Sequence, residues 1–183
     1  MEPVDSIDYS TAPAPGRLEL VRGFANTVDH EHGREALHSP ARLHDLLVSL
    51  GLLEQGVRVT HADLAAAHDL RDRIRALALA NNGVPTDVAL EAELTVRVDD
   101  RSSALDAPHD DVAGALAELV GIVYTSTVDG TWPRLKACRR EVCQWLFYDR
   151  SRNRSGVWCS MAVCGNRTKT AAYRRKARTE YGA

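Results

Sequence analysis

Four cysteines arranged as two close pairs are the residues of this sequence with the clearest chemistry. Four residues separate Cys138 from Cys143, four separate Cys159 from Cys164, and 15 residues lie between the pairs. This spacing suits a tetrahedral ion, because each pair supplies two thiolates from one turn. Soft thiolates favour Zn²⁺, and four protein ligands leave no open position for a reacting water. We therefore predict one structural zinc ion held by these four residues.

Two other states of the cysteines remain as alternatives. The pairs could form two disulfides, or all four could be free thiols. A reducing cytosol argues against disulfides. The spacing within each pair is wider than the usual spacing of redox-active cysteines.

The charges of the chain divide near the start of the cysteine-rich segment. Residues 1–133 carry 10 Arg against 22 Asp and Glu, a net charge of −12, whereas residues 134–183 carry 13 Lys and Arg against three acidic residues, a net charge of +10. A basic segment beside an acidic one indicates a polyanionic partner, and we expect duplex DNA. The candidate DNA contacts are Arg150, Arg152, Arg154, Arg167, Lys169, Arg174, Arg175, Lys176 and Arg178.

The cysteine-rich segment resembles the CGNR zinc finger, a family named after four residues that this chain carries at 164–167. The resemblance covers about 45 residues and includes both cysteine pairs. It also includes three shorter stretches, which are Phe147–Asp149, Ser151–Ser155 and Trp158–Met161. Membership of that family implies nucleic-acid binding by the finger.

The region before the finger resembles the ABATE domain, which precedes the finger in that family and is described there as a stress-induced transcription regulator. The matching residues are Phe24–Asp29, a leucine-rich helix after them, and Gly51 with the two leucines that follow it. The resemblance implies small-molecule sensing. We accordingly predict Phe24, Asn26 and Asp29 as effector contacts.

The elements that position these residues divide the chain into three parts. Residues 1–16 are expected to form a flexible tail, 17–133 a helical sensor or dimerisation domain, and 134–183 the zinc finger. In the second part, apolar periodicity predicts helices over 17–29 and from Val112 onward. Thr86 is expected to cap a shorter helix over 86–94. Alternating residues from 95 predict a small β-hairpin. Two further helices have start signals, which are Ser39 before Pro40 and Thr60 with Asp63 three residues on.

The fold class predicted is therefore mainly α, or α+β, followed by a treble-clef-like finger that ends in a basic helix. Asn166 or Thr168 is expected to cap that helix, and Gly165 to let backbone N–H groups turn toward the thiolates. The three aromatic side chains nearest the cysteines are expected to be core residues, and they are Trp145, Phe147 and Trp158. We also expect the two domains to have separate cores.

The functional prediction is a cytoplasmic, bacterial-type transcription regulator that is not an enzyme. The sequence has no P-loop, nucleophile elbow or dinucleotide-binding motif. It also lacks 18 consecutive apolar residues and an apolar leader segment. An RNA-binding zinc module and a protein-interaction adaptor remain as alternatives, and a homodimer is left open. The acidic and histidine-rich stretch Asp29–His32 is expected to be an exposed loop.

Overall fold

The computed structural model of the protein describes residues 12–181, without the side chains at 176–178, 180 and 181. The predicted tail at 1–16 therefore lies mostly outside the described residues. Within them the chain forms five α-helices and three two-stranded antiparallel sheets, with a 3₁₀ turn at Trp132–Arg134 and a π-helical turn at Met161–Gly165. The helices are α1 (Leu18–Ala25), α2 (Pro40–Ser49), α3 (His61–Ala80), α4 (Val112–Val128) and α5 (Asn166–Tyr181).

The six strands form three hairpins, each made of two strands that are consecutive in the chain. They are β1 (Val28–Asp29) with β2 (Arg34–Glu35), β3 (Thr95–Val98) with β4 (Ser103–Asp106), and β5 (Leu135–Ala137) with β6 (Leu146–Tyr148). The second is the hairpin that the alternating sequence predicts. The third carries the first cysteine pair, and α5 follows the second pair. The predicted fold class, helical and α+β with a four-cysteine C-terminal segment, is confirmed.

Local side-chain signals set the helix starts as predicted. Ser39 Oγ accepts the Arg42 amide, with Pro40 at the first helical position of α2. At the start of α3 the Asp63 amide donates to Thr60 Oγ1 over 3.2 Å, and the Thr60 amide donates to Asp63 Oδ2 over 2.8 Å. These bonds satisfy amides that have no partner within the helix.

One predicted helix is wrong. Residues 84–94 have no regular structure, and Thr86 accepts a hydrogen bond from the Val88 amide without starting a helix. The segment lacks an apolar stripe of helical period, because Leu90 packs on the core while the acidic residues around it face solvent. The helix expected over 17–29 is also shorter than predicted, since it ends at Ala25 and the chain turns into β1.

A single large core runs through the helices and into the third hairpin. Phe24 of α1, Ile74 of α3 and Leu119 of α4 are fully buried in it. So are Leu135 and Ala137 of β5 and Leu146 of β6, because this hairpin packs against α3. The expectation of two separate cores is therefore wrong. Only a smaller cluster, formed around the cysteines, lies apart from the large core among the described residues.

None of the helices described could cross a membrane. Among residues 12–181, none combines the length and the apolar composition that a bilayer span requires.

Candidate zinc centre and nucleic-acid interface

The four cysteine sulfurs converge on one point. All four Sγ atoms lie within 4.8 Å of one another, and Cys159 Sγ lies 3.7 Å from that of Cys143 and 3.6 Å from that of Cys164. A tetrahedron with zinc–sulfur bonds of about 2.3 Å has edges of about 3.8 Å, which agrees with these separations. A disulfide needs about 2.05 Å, and none of the four is in one. The chain therefore has one structural zinc site, formed by these thiols.

Backbone hydrogen bonds place the first pair in the loop of the third hairpin, between β5 and β6. The Cys138 amide donates to the Trp145 carbonyl over 3.0 Å, and the Cys143 amide donates to the Arg140 carbonyl over 2.8 Å. Gln144, the residue after the second ligand, adopts a left-handed φ of 47° that completes the turn. The indoles of Trp145 and Trp158 are half-buried and pack against the thiols, as expected for core aromatics.

The thiols interact strongly enough to perturb one another. Hydrogen bonds from the Cys143 and Cys159 thiols hold the pKa of Cys138 far below its usual value. The same hydrogen bonds, together with burial, raise the pKa values of Cys143 and Cys159. Without a cation, a cluster with one thiolate and three neutral thiols is therefore favoured over a cluster with four thiolates, because four negative charges would repel one another in a buried site. A divalent ion removes that penalty, so zinc binding releases protons.

The second pair lies at the start of a helical run that begins earlier than predicted. Ser160 Oγ accepts the Val163 amide and begins the π-helical turn, which continues into α5. Thr168 Oγ1 donates to the Cys164 carbonyl over 2.9 Å and Asn166 lies inside the run, so the predicted cap at either residue is wrong. The first helical turn already contains Cys164, which leaves no helix end at Asn166 to cap.

Gly165 has a different role from the one expected of it. Its amide donates to the Ser160 carbonyl over 3.0 Å, so this N–H does not point at a thiolate. A Cβ at this position would lie 2.5 Å from Met161 Sδ and 3.2 Å from Trp158 Cδ1. Glycine is required here because two side chains of the finger pack directly on its backbone.

Three asparagines attach the helical domain to the third hairpin and the loop after it. The Asn26 amide group donates to the Leu146 carbonyl over 2.9 Å and accepts the Leu146 amide over 2.8 Å. Asn81 and Asn82, at the end of α3, each donate to two carbonyl oxygens at 2.8–2.9 Å, on Trp132, Leu135, Ala137 and Val157. We call Asn26, Asn81 and Asn82 the asparagine dock. Sequence reasoning missed this role, since Asn81-Asn82-Gly83 indicated only the end of a helix.

A buried ion pair shapes the arginine-rich loop 150–156. Lys136 Nζ donates to Asp149 Oδ2 over 2.7 Å and to the carbonyls of Arg154 and Gly156. The Asp149 carboxylate also accepts the Ser151 and Gly156 amides. Burial raises the pKa of Asp149, but hydrogen bonds from Lys136 and the loop outweigh it and lower the pKa to about 2. The loop therefore closes around a charge pair that stays ionised.

The predicted DNA contacts lie in two exposed segments, the loop 150–156 and helix α5. On α5, residues 169–175 are all exposed, and the helix packs on the rest of the protein through the π-helical turn. Lys176 and Arg178 lie outside the residues whose side chains are described. The exposed predicted contacts are Arg150, Arg152, Arg154, Arg167, Lys169, Arg174 and Arg175.

The predicted effector contacts lie along the boundary between the helical domain and the finger. Phe24 is fully buried in the large core, and Asn26 belongs to the asparagine dock. Asp29 is buried, and its carboxylate lies 2.7 Å from His32 Nδ1. A polar cavity of about 470 Å³ lies elsewhere, between residues 51–54 and the start of α4, and none of the three lines it. The effector site stays a prediction.

Glu31 is a second residue that sequence reasoning missed. The stretch Asp29–His32 begins with the buried Asp29 at the end of β1 and continues into the turn before β2, where the two histidines are exposed as expected. Glu31 is not, because its side chain is only 11% exposed and binds two arginines of the finger. One carboxylate oxygen accepts Arg140 Nη1 over 2.6 Å, and the other accepts Arg167 Nη1. Glu31 also raises the pKa of Arg140 above its usual value.

Comparison with protein families gives two matches in the expected order. The CGNR zinc finger model matches residues 134–177. The ABATE model, described as "Putative stress-induced transcription regulator", matches residues 18–126, which is more than half of the chain. Comparison with curated proteins gives no match. Both resemblances stated from the sequence are confirmed.

Proposed function

Because the chain belongs to the ABATE family and ends in a CGNR zinc finger, we propose that it is a transcription regulator that binds duplex DNA through the basic surface of its finger. The observation that carries this proposal is α5, a helix that starts at the zinc site and exposes Arg167, Lys169, Arg174 and Arg175. The proposal includes a regulatory, non-enzymatic role in the cytoplasm.

The shape and charge of α5 support duplex DNA as the partner. The major groove of B-DNA is about 12 Å wide and admits one α-helix. Lys169, Arg174 and Arg175 are exposed along α5. Guanidinium groups donate to phosphate oxygens and to the edge of guanine, so arginine on such a helix suits both backbone and base contacts.

The zinc site supports the proposal by fixing the start of this helix. Cys164 is buried and lies within the π-helical turn that leads into α5. Metal binding therefore holds the first turn of α5 in place. Arg150, Arg152 and Arg154 on the neighbouring loop add positive charge to the same finger.

The test is DNA binding by the full-length, zinc-loaded protein with Arg174 and Arg175 both changed to alanine. The matched control changes Arg97 and Arg101 on the β3–β4 hairpin, which are also exposed and cause the same change of net charge. We expect the first variant to lose affinity and keep its zinc, and the control to change little. If about six phosphates are contacted, log affinity falls against log salt with a slope of roughly −5.

Three outcomes separate this proposal from the alternatives. Preference for single-stranded RNA over duplex in competition would indicate an RNA-binding module. Absence of salt-dependent binding to either nucleic acid would indicate a protein-interaction adaptor. Equal losses in both arginine variants would show that overall charge, and not α5, determines binding. Half-site spacing in a footprint would reveal a homodimer.

Effector sensing is the second part of the proposal, and it uses the segment 24–31. This segment contains Phe24, Asn26 and Asp29, and it reaches the finger through Asn26 and Glu31. A ligand that shifts it would change the supports of the finger, which is a route for coupling the two sites. The test adds small-molecule fractions of a cell extract to the DNA-binding assay. A change of affinity supports sensing, and constant affinity in every fraction contradicts it.

A further inference from the structure

The contact between Glu31 and Arg167 ties a candidate DNA-binding side chain to the acidic domain. Arg167 is 56% exposed on the first turn of α5, whereas Glu31 is 11% exposed and belongs to the β1–β2 turn. Resting on the function proposed above, we propose that Glu31 is an intramolecular competitor for the DNA phosphate that Arg167 contacts. The acidic domain then restrains DNA binding through one carboxylate.

The chemistry of the two acceptors is the reason for the competition. A carboxylate and a phosphate both accept charge-assisted hydrogen bonds from a guanidinium, and they approach the same N–H groups. Glu31 already accepts from Arg167 Nη1. A phosphate that binds this edge of Arg167 must displace Glu31, so each DNA contact here breaks an internal ion pair.

The β1–β2 turn holds Glu31 in a fixed position. The hairpin pairs Val28 with Glu35 and Asp29 with Arg34, and Gly33 adopts a left-handed φ of 63° within its turn. The Asp29 carboxylate accepts the His32 amide over 3.2 Å and so closes the turn around Glu31. Because the turn fixes the backbone of Glu31, binding the arginines costs only the freedom of its side chain.

The two arginines bound by Glu31 differ in how easily they can leave it. Arg140 lies between the two ligands of the first cysteine pair and also hydrogen-bonds the Cys164 sulfur. Its guanidinium is 21% exposed, less than half the value for Arg167. Arg167 can therefore turn toward a phosphate while Arg140 continues to pair with Glu31. Release of Arg167 leaves no isolated buried charge, so the exchange has a small cost.

The test compares Glu31→Gln with Glu118→Gln in the full-length, zinc-loaded protein, using a DNA duplex as the probe. Glu118 also pairs with an arginine, Arg17 of the helical domain, and its substitution changes net charge by the same amount. We expect Glu31→Gln to raise duplex affinity about two- to fivefold at low salt, the scale of a partly exposed ion pair. The salt slope should steepen by about 0.9, as one more phosphate contact forms. Glu118→Gln should leave the slope unchanged.

A third variant shows whether the gain passes through Arg167. Arg167→Ala combined with Glu31→Gln should bind no better than Arg167→Ala alone. Zinc content is measured for every variant, and if Glu31→Gln loses zinc, Glu31→Asp replaces it. That variant keeps the charge but shortens the side chain by one methylene, so a smaller gain in the same direction is expected.

Each other outcome overturns the inference in a recognisable way. Equal gains and slopes for Glu31→Gln and Glu118→Gln, with duplex binding intact, overturn the competition alone. Weaker binding by Glu31→Gln would mean that Glu31 orients Arg167 for DNA, which also overturns it. If no variant binds duplex DNA in a salt-dependent way, the proposed function fails and the inference fails with it.

Discussion

Asn26→Ala tests whether the helical domain and the finger form one cooperative unit. Asn26 lies just after α1 and makes both hydrogen bonds of its amide group to the backbone of Leu146 in β6. The two residues are 120 positions apart in the chain. Removing the amide group therefore breaks a contact between the segments that the two family models match, without changing a cysteine.

The expected loss of stability follows from the burial of Leu146, which has no exposed surface. With alanine at position 26, the Leu146 amide and carbonyl lose their partners in a place that water does not reach easily. A buried donor or acceptor left unpaired costs about 1–3 kcal/mol. The two groups together give an expected loss of about 2–4 kcal/mol in the free energy of unfolding.

Asn26→Asp separates hydrogen bonding from packing. The variant keeps the size of the side chain and can still accept the Leu146 amide, but it has no donor for the Leu146 carbonyl. It also brings a carboxylate next to that carbonyl oxygen, so we expect a loss at least as large near neutral pH. Asn166→Ala is the control, because Asn166 is exposed, and its loss should stay within about 0.5 kcal/mol.

The assay is urea unfolding in constant excess zinc, followed by two signals. The chain has three tryptophans, Trp132, Trp145 and Trp158, and all lie in or next to the finger, so their fluorescence reports on that part. Far-UV circular dichroism reports mainly on α1–α4. For a single cooperative unit, the two signals give the same midpoint and both shift in Asn26→Ala. Separate midpoints in the unsubstituted protein, or a loss below about 0.5 kcal/mol, would refute the reasoning.

Two further predictions concern the metal and the buried ion pair. Cys164→Ser should abolish stoichiometric zinc binding. It should also lower the melting temperature of the helical domain, because the third hairpin shares the core of that domain. A metal-free variant with an unchanged melting temperature in circular dichroism would contradict this. Lys136→Met should cost about 3–5 kcal/mol in urea unfolding, since it leaves the Asp149 carboxylate buried without its cation, and Asp149→Asn should cost less. The pKa of Asp149 is depressed to about 2, so the stability that this pair contributes is present above the unfolded pKa of about 3.9 and is lost only as pH falls toward 2. In the unsubstituted protein this contribution should therefore stay constant between about pH 5.5 and 7.5. In Lys136→Met the burial of Asp149 is no longer offset by Lys136 and raises the pKa of the carboxyl group, so the deficit in urea unfolding should be no larger at the lower pH than at the higher one.

The parts of the fold that could be predicted from the sequence are those with local causes. The starts of α2 and α3 follow from side chains that bond to amides three residues away, and such signals are visible in a short window. The segment 86–94 carries a similar signal at Thr86 but has no apolar stripe to bury, so it stays without regular structure. A cap starts a helix only where packing then sustains it.

The zinc site could also be predicted, because its four ligands lie within 27 residues and their spacing is set by the geometry of the ion. The asparagine dock and Glu31 could not. Their partners are backbone groups or arginines between 51 and 136 positions away, and no periodicity relates such residues. A polar residue that bonds across a domain boundary has the same local pattern as one that ends a helix or occupies an exposed turn.

These long-range polar contacts determine what the two family domains can do independently. The finger lacks enough apolar surface for a core of its own beyond the cysteine cluster, and its hairpin completes the core of the helical domain. The dock then fixes the hairpin by its backbone, and Glu31 binds Arg140 in the loop of the hairpin and Arg167 on the first turn of α5. Any change that moves the segment 24–31 must therefore move or release the finger. A helical domain built in this way needs no flexible linker to pass a displacement to the finger, because the segment 24–31 contributes to the core of the domain and also holds the finger.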